Sequence, residues 1–119
     1  MDYKTTITGI GDMALDFLEQ DMLIVFNENA PAELKDLSVH HTAATLDKDV
    51  KVGDVVLFGD ESYVVTAVGD EANHTLRTMG HCTFKFTGND AVQLPGHIEL
   101  AGERRPSIEI GKQFEIMFT

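Results

Sequence analysis

The sequence predicts a mainly β protein, a closed or nearly closed β-barrel of short strands with one or two short helices. Runs rich in Val, Ile, Thr, Phe and Tyr alternate apolar and polar residues at a period of two, the pattern of half-buried strands. Gly, Asp and Asn punctuate those runs at short intervals, which keeps each strand short. Closure leaves no unpaired sheet edge, so a barrel is favoured, with a two-sheet sandwich as the main competitor.

Tyr3 to Ile10 alternates Thr with Ile and forms the first strand, and Met22-Leu23-Ile24-Val25-Phe26 forms a buried second one. Between them, Asp12, Met13 and Phe17 point to a short helix or an irregular crossing, with Asp16, Glu19, Gln20 and Asp21 toward solvent. Asn29 to Leu37 carries helix-start signals: a capping Asn, the early Pro31 and the acid Glu33 in the first turn. That helix leads into a strand over Ser38 to Ala44, so the adjacent pair His40-His41 stands at a strand start. Neighbours in a strand leave opposite faces, which turns one imidazole toward water or a partner and the other toward the core.

Val55 to Phe58, the turn Gly59-Asp60-Glu61-Ser62 and Tyr63 to Val68 read as a β-hairpin. Ala72, Leu76 and Met79 follow at near-helical spacing, and Gly80 stops that helix before Cys82 to Phe86 resumes alternation. His97 to Leu100 and Gln113 to Phe118 complete the strands. Val50-Lys51-Val52-Gly53-Asp54-Val55 is echoed by Ile108-Glu109-Ile110-Gly111-Lys112-Gln113. A Gly after alternating apolar residues is common wherever a turn leads into a strand, so the echo is expected to be generic rather than a duplication.

With 119 residues, the chain from 1 to 119 is expected to be one domain. Nine Lys and Arg against 20 Asp and Glu give a formal charge of -11, which repels nucleic-acid phosphates and anionic lipid. Neither nucleic-acid binding nor direct membrane insertion is expected. No apolar run approaches a membrane-spanning length, no basic-then-apolar leader opens the chain, and Cys82 is the single cysteine. A reducing, cytoplasmic setting fits.

Gly-rich phosphate loops, G-x-S-x-G, H-E-x-x-H and C-x-x-C are all absent, and no cofactor or metal is expected. His40, His41, His81 and His97 lack a recognisable metal-ligand spacing, and Cys82 beside His81 is better placed in a core than in a nucleophilic pair. What remains is a histidine nucleophile, because an imidazole titrates near neutrality with little tuning.

Across Tyr3 to Ile10, Met22 to Leu37 with Asn29-Ala30-Pro31-Ala32-Glu33-Leu34, Thr66-Ala67-Val68-Gly69, Leu76-Arg77, Gly80-His81 through Phe86-Thr87-Gly88, Pro95-Gly96 and Gly102, the chain resembles one known family. That family is the glucitol/sorbitol-specific enzyme IIA component of the bacterial phosphoenolpyruvate-dependent sugar phosphotransferase system. The resemblance implies a phosphocarrier whose histidine, just after the A-P-x-x-L segment, accepts a phosphoryl group. Aligned from Leu34 without a gap, that histidine is His41; His40 then takes an apolar position of the family pattern and is the neighbouring alternative.

By analogy with other enzyme IIA sites, His81 is placed near His41 as an orienting or stabilising partner. Thr42 and nearby backbone N–H groups are candidate donors to the phosphoryl oxygens. The resemblance further implies HPr as phosphoryl donor, a cysteine of the enzyme IIB component as acceptor, and a glucitol-specific IIB/IIC permease as the destination. A partly exposed His41 ring, with Val39 in an apolar rim inside a fringe of acids, would suit a basic carrier. The competing readings are a noncatalytic β-barrel module that binds a small ligand or a regulator, and a metal-dependent hydrolase.

Overall fold

Along β1 (Tyr3–Ile10), Tyr3, Thr5 and Ile7 are buried while Lys4 and Thr8 are exposed, so the period of two turns one face inward. The same alternation recurs in β2 (Met22–Asn27), β4 (Val55–Phe58), β5 (Glu61–Val68), β6 (Cys82–Lys85) and β8 (Gln113–Met117). The computed structural model describes residues 2–119. With β3 (Val39–His41) and β7 (His97–Ala101), the strands form a closed barrel in the order β1-β3-β2-β6-β7-β5-β4-β8. Its interior is filled by Phe58 stacked on Phe114, with Phe84 edge-on to both. The mainly β barrel expected from the sequence is therefore what forms.

Among the described residues three short helices join the strands, one more than the upper expectation: α1 (Ala14–Leu18), α2 (Ala32–Lys35) and α3 (Ala72–Met79). The helix expected over Asn29 to Leu37 shrinks to the single turn of α2, whose N-cap position is Pro31. Asn29 caps nothing; its N–H donates to Asn27 Oδ1 at 2.9 Å, and this side-chain turn brings the chain off β2.

The echo between residues 50–55 and 108–113 is not generic, which corrects the expectation. Gly53 and Gly111 share a φ of 97°, a left-handed conformation open to glycine. The Gly53 N–H donates to the Val65 carbonyl and the Gly111 N–H to the Ile7 carbonyl, both at 2.9 Å. In return Val65 N–H donates to Asp54 and Ile7 N–H to Lys112, both at 2.8 Å. The two halves thus carry the same turn, seated on equivalent strands.

The correspondence extends through the sheet. β1 pairs antiparallel with β3 across an irregularity at Ile7/Gly9, as β5 pairs with β7 across one at Val65/Ala67. β2 runs parallel to β3, as β6 does to β7, and β2 and β6 meet antiparallel between the halves. Ile7 faces His41 and Val65 faces Leu100, so His41 is the structural counterpart of Leu100.

Candidate functional site

β3 is three residues long and lies between β1 and β2, and its alternation decides which histidine enters the barrel. Val39 and His41 point inward, 1% and 0% exposed, while His40 is half-buried on the outer side. One imidazole inward and one outward is what the strand reading required. The further expectations of a partly exposed His41 and of Val39 in an outer rim are corrected, since both residues belong to the interior. His40 places Nε2 3.0 Å from the Lys35 carbonyl, and its ring packs so closely over Gly9 that a Cβ there would come 2.7 Å from Nδ1.

Two backbone carbonyls hold the His41 ring. Nδ1 lies 2.8 Å from the oxygen of Thr42, and Nε2 lies 2.8 Å from the oxygen of Gly80. Phe114 meets the ring edge-on at a centroid distance of 5.1 Å, and Tyr3 does so at 6.4 Å. Burial lowers the His41 pKa, outweighing the opposite pull of the Gly80 and Thr42 carbonyls and of Glu28. The ring is therefore neutral at neutral pH and carries one N–H. It can donate to only one of the two carbonyls at a time, leaving the other nitrogen's lone pair against an oxygen.

Gly80 ends α3 in the left-handed conformation, φ 61°, with its N–H donating to the Leu76 carbonyl. Glycine is required there twice over. An L side chain resists that φ, and a Cβ would lie 2.8 Å from His41 Cε1 and 3.0 Å from Asn27 Cβ. In the other half, Asp21 holds the equivalent left-handed position at φ 63°, and its carbonyl accepts the Phe86 N–H. Where the first connection closes on a backbone amide, the second closes on the His41 ring.

The chain brings Gly80-His81 to His41 through the Gly80 carbonyl rather than through the second imidazole. The His81 ring stacks on Phe26 at 4.4 Å, with Nδ1 3.0 Å from the Val25 carbonyl. Thr42 follows His41 as β3 ends; its Oγ1 accepts the Thr6 N–H at 3.0 Å, and the hydroxyl keeps its own proton free to donate. Cys82 is buried, which pushes its thiol pKa well up and keeps it inert. Among the described residues no group of three or more His, Cys, Asp and Glu could hold a metal ion.

A backbone carbonyl or His81 was the expected restraint on the ring, and the carbonyl is what the fold supplies; that the oxygens are those of Thr42 and Gly80 was not legible, because a backbone oxygen carries no sequence signature. A glycine closing a helix one residue before His81 was the available clue.

Comparison with known proteins decides the family. Residues 2–115 match the sequence model of the family described as the PTS system glucitol/sorbitol-specific IIA component. The chain belongs to that family. It is 41% identical over 100 residues to the glucitol/sorbitol-specific EIIA component of Escherichia coli K12, spanning 84% of this chain and 81% of the relative. The same figures hold for the Shigella flexneri component. The crystal structure of a PTS system IIA component from Enterococcus faecalis V583 superposes with a TM-score of 0.87 at 29% identity, covering 97% of this chain and 99% of that one. Membership in the glucitol/sorbitol IIA family carries the phosphocarrier role of a sugar phosphotransferase component. No helix among the described residues is long and apolar enough to cross a membrane.

Proposed function

We propose that His41 is the phosphoryl acceptor of this IIA component, that phospho-HPr is its donor, and that a cysteine of the glucitol-specific IIB component receives the group. The observation that carries the reading is the buried, neutral imidazole at the position where the other half of the barrel places Leu100. A polar ring in an apolar slot is costly unless it is used.

The reacting atom is Nε2. Nδ1 rests on the carbonyl of the very next residue in the chain, a restraint that survives movement of other elements, so Nδ1–H fixes one tautomer. The Nε2 lone pair attacks the phosphorus of the donor's phosphohistidine. The new N–P bond forms as the donor's N–P bond breaks, and the donor's imidazole leaves with the electron pair. No metal or nucleotide takes part, because the energy-rich bond arrives with the donor. The second transfer repeats the step, with a thiolate of the IIB component as nucleophile.

The structure is a closed resting form in this reading. Nε2 faces the Gly80 carbonyl, so the α3 terminus must withdraw before a donor reaches the ring. Met79 beside Gly80 and Leu34 of α2 are exposed apolar residues, and Glu28, Glu33 and Asp36 are exposed acids. These suit brief docking of a basic, partly apolar carrier face in the cytoplasm. Incubation with phosphoenolpyruvate, enzyme I and HPr should label the chain in an acid-labile, base-stable form, and His41→Gln should abolish the label. A folded His41→Gln protein that still takes a full equivalent would refute the assignment.

A further inference from the structure

A phosphoryl group on Nε2 of His41 would enter a space walled by acceptors. The Thr42 and Gly80 oxygens both face the ring, and the C-terminal end of α3 adds partial negative charge. The group carries negative charge on three oxygens, so a donor must meet it there.

Asn27 is the last residue of β2 and lies opposite His41 in the parallel β2–β3 register. Its Cβ and the His41 Cε1 and Nε2 atoms all fall within 3.2 Å of a single point, the place where a Cβ on Gly80 would stand. The missing Cβ thus leaves a small gap lined by side-chain atoms of His41 and Asn27. The orientation of the amide is fixed. Asn27 Oδ1 accepts the Asn29 N–H at 2.9 Å, and since that partner is a donor the accepting atom must be the oxygen. The NH₂ end is left over, and no acceptor among the described residues takes it.

We infer that the side-chain amide of Asn27 donates to the phosphoryl group as it sits on His41, taking the place opened when the Gly80 carbonyl withdraws. This rests on the reading of His41 as acceptor. It assigns to Asn27 a phosphoryl-binding role in both transfers, supplied by a neutral side-chain donor.

Asn27→Asp isolates that role. The carboxylate keeps an acceptor for the Asn29 N–H and the same shape, but replaces the NH₂ donor with negative charge. With phosphoenolpyruvate, enzyme I and HPr at pH 8, Asn27→Asp should label about ten- to a hundred-fold more slowly than the parent at an unchanged thermal midpoint. The Thr42 and Gly80 oxygens and the phosphoryl charge raise the introduced acid above the ordinary carboxylate pKa of about 3.9, so the defect relative to the parent should shrink as the pH falls toward 5 and a growing share of the acid becomes a donor again. A purely structural role would not give that pH profile. If Asn27→Asp does not fold, Asn27→Ser, which also offers an oxygen to Asn29, should show a partial loss.

A folded variant labelled within about two-fold of the parent at pH 8 would overturn the inference, as would a defect independent of pH. The parent runs as control. If its label maps to His41 and the Asn27 variants match it, this inference alone falls; if the label maps elsewhere, the reading of His41 falls with it.

Discussion

The Nε2 atom of His41 lies 2.8 Å from the carbonyl oxygen of Gly80, and that contact replaces the backbone amide that closes the equivalent connection in the other half of the barrel. A neutral ring cannot satisfy Gly80 and Thr42 together. The contact on the separate element, α3, is the one that can yield without unfolding the strand.

Replacing His41 by Leu tests the equivalence with Leu100. The leucine removes the ring N–H and leaves a buried carbonyl, that of Gly80 or Thr42, without its donor, which costs about 1–3 kcal/mol, while its own burial offsets part of that cost. The His41→Leu protein should unfold in urea within about 2 kcal/mol of the parent, and should take no phosphoryl label. A loss of several kcal/mol would show that the two positions are not interchangeable and that the imidazole is structural.

Gly80→Ala should destabilise. The methyl group meets His41 Cε1 and Asn27 Cβ, and φ 61° strains any L residue. A cost of about 1–3 kcal/mol is expected from the backbone alone, read as a lowered urea midpoint at unchanged slope. The His41 ring resonances should shift as well. Gly96→Ala is the control, since no atom stands within 4 Å of a Cβ there.

How much of this was legible follows from particular residues. Tyr3–Ile10, the hairpin and the helix stopped by Gly80 were read correctly because alternation, turn chemistry and a C-cap glycine are local signals. The length of α2 was misread because Pro31 and Glu33 mark a helix start but nothing after them holds more than one turn. Gly53 and Gly111 were undervalued because a duplicated turn proves itself only through its partners, Val65 and Ile7, which are distant in sequence. The inward turn of His41 was equally hidden. A strand pair fixes that one histidine goes in, and pairing to β1 and β2 fixes which.

Acid should weaken the fold. Burial lowers the pKa of His41, and burial followed by the charge of Lys85 lowers that of His97 against the opposing pull of Glu99. Both folded values lie below the ordinary 6.5, so the unfolded chain binds more protons in the interval between them. The free energy of unfolding is therefore full above that interval, falls as the pH drops through 6.5, and levels off once both folded forms protonate. Each histidine contributes a slope of at most about 1.4 kcal/mol per pH unit. Urea titrations from pH 8 to 5 should show the decline, and His41→Leu should lessen it; an identical decline in the variant would exclude His41 as a source.

The central claim is that His41, closed off in the resting protein, is where the phosphoryl group lands. Tandem mass spectrometry of peptides from the parent, labelled through HPr and kept at alkaline pH, tests it most directly. The account predicts a single phosphohistidine at position 41. Label on His40 or His81 instead, with position 41 unmodified at full transfer, would contradict it.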